Sequence, residues 1–341
     1  MISRVINESS IKRLRQYLEE SETIVITCHV SPDGDAVGSS LAMYHVLLSL
    51  GKNVKVVTPD MIPQNLTFLP GAKEILPYTR YEQFVSQLFN SADLVLCLDF
   101  NAPYRVDRMS EVLVSSPARK VLIDHHIDPA DFTNLVISYP EMSSTCLLVF
   151  RVLCRLELFS KIDKHAAECI YTGMMTDTGN FTYNSADPDI YTIIAELLKK
   201  GVNKDDIYQR VCNTFSESRI KLNGYATSQK MQIFPEHKAA LITLNQEELK
   251  LYNYEKGDTE SLVNIPLSIP GIVYSVFLRD DKEYIKVSTR SKGDFPVNKI
   301  CEKYFNGGGH KNAAGGEFRG SLQECIDVFM SILDENDKFL S

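Results

Sequence analysis

Apolar positions along this chain fall into two kinds of run, and their order predicts an alternating α/β fold. One kind is short, continuous and rich in β-branched residues: the TIVIT stretch opening at Thr23, then Val54–Thr58, Asp93–Asn101, Lys120–Asp124 and Leu135–Ser138. Continuous rather than alternating runs of this length read as strands covered on both faces. The other kind places apolar residues at helical spacing: Ile11–Glu19, Gly38–Leu50, Tyr81–Phe89, Ser144–Leu156 and Lys164–Met175. Strands alternating with helices predict an α/β domain with a doubly wound parallel sheet. Ser9 or Ser10 is the expected N-cap of the first helix, and Gly51 the stop of the second. His45 lies inside the apolar stripe of that second helix and reads as a packing residue. Pro59–Gly71, with its prolines, reads as a loop.

Beyond residue 187 the pattern changes. Pro188–Lys200, with Asp187 as N-cap, Lys204–Val211 and Ser216–Met231 read as helices, the last long enough to bridge two domains. Ala239–Leu244, Ile272–Leu278 and Tyr284–Ser288 read as strands, and Leu322–Leu333 as a closing helix. The expected division is a catalytic domain over 1–190, a helical linker over 191–235 and a smaller α/β domain over 236–341. A chain of 341 residues is long enough for two such cores.

Composition narrows the partners. A net charge of −8 argues against a long duplex nucleic acid, whose binding rests on phosphate neutralisation by Lys and Arg. It leaves room for a short phosphorylated ligand held through cations. The eight cysteines form no C-x-x-C pair and several sit in apolar runs, as in a reducing cytoplasm. No apolar run approaches the ~20 residues of a membrane span, so no membrane partner is expected.

The chemistry gathers where the apolar runs end. The first strand runs into His29, Asp33 and Asp35, and the helix that follows offers amide N–H groups suited to phosphate. The run ending in LDFN closes on Asp99, the next on Asp124-His125-His126, and a buried helical pattern leads to Asp177. Adjacent histidines point to different sides of an extended chain, so one of the pair is expected to coordinate a given ion and the other to meet substrate. Asp124 can fix the tautomer of one ring through its second nitrogen. Carboxylates crowded within about 4 Å repel unless cations or protons intervene. Six N/O ligands without a thiolate suit Mn²⁺, Mg²⁺ or Zn²⁺, and imidazoles favour Mn²⁺ over Mg²⁺. The number exceeds what one catalytic ion with open positions needs, which implies two ions sharing a carboxylate.

HVSPDGDAVGS, LDF, DHH and MTDTG, in this order, resemble the four motifs of the DHH phosphoesterase superfamily. The resemblance implies that His29, Asp33 and Asp99 hold one ion and Asp35, Asp99, His125 and Asp177 the other. Asp99 would be the bridge, Asp124 would support the ligands from behind, and His126 would face the scissile phosphate. Two Mn²⁺ ions are the expected cofactors, with Mg²⁺ or Co²⁺ as alternatives.

The last informative stretch is STRSKGDFPVNKICEKYFNGGGHKNAAGG. Gly307, Gly308 and Gly309 allow the close approach and left-handed φ of an anion-binding nest, with His310, Arg290, Lys292 and Lys311 adding charge. The stretch resembles the substrate-binding motif of the DHH-associated C-terminal domain, although Asn306 stands where many relatives carry glycine. Arg290, the three glycines and His310 would hold substrate across an interdomain cleft containing the active site. The two halves together resemble the short NrnA group of oligoribonucleases that also dephosphorylate 3′-phosphoadenosine 5′-phosphate. Short RNA and nucleotide bisphosphates are then the expected substrates, and a homodimer is open. The alternatives are a phosphodiesterase of cyclic dinucleotides or their linear products, and a nucleotide sensor without turnover.

Overall fold

The computed structural model describes residues 6–340. They fall into two units, divided between Thr214 and Phe215. The stretch 191–235 divides between them.

In the first unit, helix α1 (Glu8–Glu20) precedes strand β1 (Thr23–Thr27) and helix α2 (Gly34–Ser49). Asn7 caps α1, because its Oδ1 accepts the Ser9 amide at 2.9 Å; the expected Ser9 and Ser10 are already inside the helix. Helix α2 opens four residues before the expected Gly38. Gly34 and Gly38, poor helix formers in isolation, are needed because a Cβ at Gly34 would collide with Thr176 and one at Gly38 would lie 2.5 Å from the Cys169 carbonyl. Tertiary packing overrides propensity there. His45 Nε2–H donates to the Pro70 carbonyl, 2.9 Å away, and His45 is a packing residue as expected.

Strands β2 (Asn53–Thr58), β3 (Leu76–Pro77), β4 (Leu94–Leu98), β5 (Arg119–Asp124) and β6 (Leu135–Ser138) complete a sheet of order β3-β2-β1-β4-β5-β6. Every pairing is parallel. The order reverses between β1 and β4, the switch point at which open α/β sheets bind their ligands. Alternate residues feed opposite cores. Ile24, Ile26, Leu94, Leu96 and Ile123 pack under α1, α2, α5 (Thr145–Arg155) and α6 (Lys164–Asp177). Val25, Val95, Cys97 and Leu122 pack under α3 (Tyr78–Ser91) and α4 (Ser110–Ser115). Burial on both faces is why these strands read as continuous apolar runs. Helices α7 (Pro188–Lys199) and α8 (Lys204–Cys212) follow.

In the second unit the expected long helix Ser216–Met231 is α9 (Glu217–Tyr225), which continues into a π-helical turn over Ala226–Lys230. Strands β7 (Gln232–Phe234), β8 (Ala239–Leu244), β9 (Tyr274–Asp280), β10 (Ile285–Ser291), β11 (Gly308–His310) and β12 (Ala313–Phe318) form a sheet of order β11-β12-β10-β9-β8-β7. Only β8 and β9 run parallel. Tyr274 stacks on Phe295, ring centroids 4.2 Å apart, at the centre of one core. Among the described residues no helix is long and apolar enough to cross a membrane, and all eight cysteines are free thiols.

Candidate active site

The first unit gathers its six candidate ligands around Asp99, which His29 and His125 meet directly and the other three reach through those two rings. This residue ends β4 with φ +65°, a left-handed turn that Asp accepts more readily than most side chains. Its Oδ2 lies 3.5 Å from His29 Nε2 and its Oδ1 3.6 Å from His125 Nε2. His29 follows β1, and its Nε2 lies 3.8 Å from Asp33 Oδ2. His125 follows β5, with Nε2 3.5 Å from Asp177 Oδ2 at the end of α6. Three overlapping groups result, His29/Asp33/Asp99, Asp99/His125/His126 and Asp35/His125/Asp177. In each, one ligand atom per residue lies within 4.8 Å of the others.

The imidazoles are oriented for this. His29 Nδ1–H donates to the Val30 carbonyl at 2.8 Å and His125 Nδ1–H to the Met142 carbonyl at 3.1 Å. A nitrogen that donates to a carbonyl must carry the proton, so each Nε2 is the nitrogen that faces the carboxylates, and it becomes a ligand lone pair once a cation takes the place of its proton. His126 Nδ1 donates to Asp124 Oδ1 at 2.7 Å, in the manner expected of a ring oriented from behind. The neighbouring histidines do not take opposite sides. Both lie within 3.9 Å of Asp99 Oδ1, their ring centroids 4.8 Å apart, because the chain leaves extended geometry after Asp124.

Asp35 is buried in the first turn of α2. Its Oδ2 accepts the Thr145 amide at 2.6 Å and its Oδ1 the Cys146 amide at 2.8 Å. The N-terminus of α5 thus holds this carboxylate. Two of the amides expected to be free beside Asp35 are taken: those of Asp35 and Ala36 both donate to Asp33 Oδ1 at 3.0 Å. Asp33 is the N-cap of α2, so the anion it was expected to attract is supplied from within. Thr145 Oγ1 donates to Asp99 Oδ1 at 2.9 Å. Sequence reasoning missed Thr145; the only signal was a hydroxyl at the start of an apolar helix.

Electrostatics show the strain of holding these charges together. Burial, then the Asp99 and Asp33 charges, push Asp177 up to about 8. Burial, then Asp99 and Asp177, push Asp35 well above the carboxylate range. Burial would raise Asp99 too, but the His29 hydrogen bond and the His29, His125 and His126 charges hold it well below that range. Burial would lower His29, but Asp33 and Asp99 outweigh it and raise the ring well above its ordinary value. A buried, mixed imidazole and carboxylate set of this kind fits divalent cations, which would let every carboxylate ionise.

In the second unit the expected glycine nest is a strand. A Cβ on Gly307 would collide with the Gly315 carbonyl, and one on Gly309 (φ +140°) would lie 2.6 Å from the Ala313 carbonyl. The glycines let β11 press against β12. Asn306 holds φ +44°, a conformation asparagine accepts where glycine would be the usual choice. The register aligns His310, Ala313 and Arg290 across β11, β12 and β10, so the two basic side chains rise from one face with a small residue between them. Arg290 Nη1 donates to the Thr289 carbonyl at 2.9 Å, and His310 is exposed.

Residues 23–174 match the DHH family, N-terminal domain, and residues 248–338 match the DHHA1 domain. The chain is 33% identical over 300 residues to the bifunctional oligoribonuclease and PAP phosphatase NrnA of Thermus thermophilus, covering 87% of this chain and 84% of that protein. A crystal structure of an exopolyphosphatase-related protein from Bacteroides fragilis superposes with a TM-score of 0.98 at 51% identity, covering 99% of each chain. RecJ of Thermus thermophilus in complex with Mn²⁺ shares the fold, with a TM-score of 0.58 at 12% identity over 99% of this chain and 55% of RecJ.

Proposed function

We propose, for a chain that belongs to the DHH family, a metal-dependent phosphoesterase that hydrolyses short oligoribonucleotides to nucleoside 5′-monophosphates and 3′-phosphoadenosine 5′-phosphate to AMP. The clustering of six N/O side chains, Asp99 among them, carries the reading, and the resemblance to the Thermus NrnA protein supports the substrates. His29, Asp33 and Asp99 would hold one divalent ion and Asp35, Asp99, His125 and Asp177 the other, with Mn²⁺ favoured by the imidazoles. When bound, such ions lower the pKa of water and neutralise charge on a phosphoryl group.

The chain's own residues supply the rest. Asp124 fixes the His126 tautomer, so that Nε2 of that ring faces a non-bridging phosphate oxygen and stabilises charge growing there. Arg290 and His310, with Ala313 between them, form a floor for the terminal nucleotide or its phosphate. The glycines hold that floor rigid rather than wrapping the anion. Free, mostly buried thiols suit a reducing cytoplasm, where we place the protein.

The test is hydrolysis of a 5′-labelled RNA trinucleotide beside 3′-phosphoadenosine 5′-phosphate with Mn²⁺, resolved by chromatography. Mononucleotides and AMP are the expected products. A protein that binds Mn²⁺ yet cleaves only polyphosphate or cyclic dinucleotides would overturn the substrate assignment.

A further inference from the structure

Thr145 is fully buried and is the first residue of α5, yet it does not cap that helix. Ser144 does, its Oγ accepting the Leu147 amide at 3.0 Å. The Thr145 hydroxyl is therefore available for other work. It donates to Asp99 Oδ1 at 2.9 Å, shorter than any of the three histidine contacts to that carboxylate. The same residue's amide donates to Asp35 Oδ2 at 2.6 Å. One residue thus touches both Asp99, shared by two of the candidate ligand groups, and Asp35, which belongs to the third.

We propose that Thr145 is a positioning residue that fixes the Asp99 carboxylate against Asp35 and so sets the site's affinity for divalent cations. The inference rests on the two-cation reading above. A carboxylate at the end of two rotatable bonds can turn in place, and a shared ligand must present one oxygen to each side. The hydroxyl occupies one lone pair of Oδ1. It leaves the other lone pair facing His125 and leaves Oδ2 facing His29. A β-branched side chain is stiff at χ1, so the donor itself is held. Threonine supplies this fixity where serine, free at χ1, would supply the same hydroxyl less rigidly.

The experiment is titration of the metal-free protein with Mn²⁺, following the electron paramagnetic resonance signal of the free ion, in wild type, T145V and T145S. Valine keeps shape, stiffness and the backbone amide to Asp35 while removing only the hydroxyl. T145V is expected to bind Mn²⁺ about 10- to 100-fold more weakly, the usual loss when a group supporting a metal ligand is removed. T145S is expected to recover most of the affinity, which a merely space-filling residue would not require. If valine is not accommodated, T145A, which also lacks the hydroxyl, carries the same comparison. Wild-type affinity in the hydroxyl-free variant overturns the role of Thr145 and leaves the two-cation reading standing. A wild-type protein that binds no Mn²⁺ overturns both.

Discussion

Gly173 gives Asp35 its room. A Cβ on Gly173 would lie 2.8 Å from Asp35 Oδ1 and would collide with Cys146 Sγ. Both neighbours are fully buried, so neither can swing aside. G173A is expected to lose about 1–3 kcal/mol of stability, the usual cost of overpacking, and to weaken Mn²⁺ binding as Asp35 is displaced. Thermal unfolding of the metal-free protein and Mn²⁺ titration check the two effects separately. Unchanged values in both would contradict the tight packing of α2 against α6.

The left-handed turn at Asp99 makes D99N the sharpest probe of the shared carboxylate. Asparagine accepts that backbone, so the fold is expected to survive. The amide cannot serve as an anionic ligand to either group. Metal binding is expected to collapse and turnover to fall by roughly 10³-fold or more, since several kcal/mol of charge stabilisation go with it. Full activity in this variant would end the proposal.

Ala313 separates Arg290 from His310 in one row of the second sheet. A313L would fill the floor between them and leave all six candidate ligands unsubstituted. We expect KM for the trinucleotide to rise by about tenfold, equivalent to ~1.4 kcal/mol of binding, with kcat and Mn²⁺ affinity unchanged. A fall in kcat at constant KM would move this row out of substrate binding.

Asp93 joins the starts of two strands at the far end of the sheet. Its Oδ2 accepts the Thr23 amide at 2.8 Å and the Glu22 amide at 2.9 Å, and these bonds hold its carboxyl below the ordinary range. A carboxyl depressed in the folded state stabilises the fold above its unfolded pKa, about 3.9 for Asp. That contribution is lost as pH falls through the lower, folded value. D93N is therefore expected to be less stable than wild type at pH 7, by roughly 1 kcal/mol for a solvent-facing pair of bonds. The gap should narrow as pH falls below the ordinary carboxyl value. Melting temperatures across pH 2.5–7 test the convergence.

Much of this was legible in the chain because parallel strands buried on both faces write themselves as unbroken apolar runs. Asp99 and Asp124 stood out as the charges that end β4 and β5, and His29 as the first polar ring after β1. What stayed hidden depends on contacts between distant segments. The start of α2 was masked by Gly34 and Gly38, whose purpose appears only when α6 lies against them. The amides near Asp35 looked open because a cap by Asp33 is a matter of side-chain rotamer. The glycine run looked like a loop because the strand it presses on, β12, lies beyond a short turn. Thr145 was silent because a hydroxyl bond spanning 46 residues of chain leaves no local pattern.

The two faces of the first sheet carry different obligations. On one lie α2 and α6, which bear Asp35 and Asp177, and α5, which grips Asp35 from its end. On the other lie α3 and α4, with none of the six candidate ligands. A substitution under α3 must answer only to packing, whereas one under α5 or α6 must also answer to the chemistry of the carboxylates. Lineages of this protein should therefore drift unevenly, the side of α3 and α4 recording ancestry and the side of α2, α5 and α6 recording function.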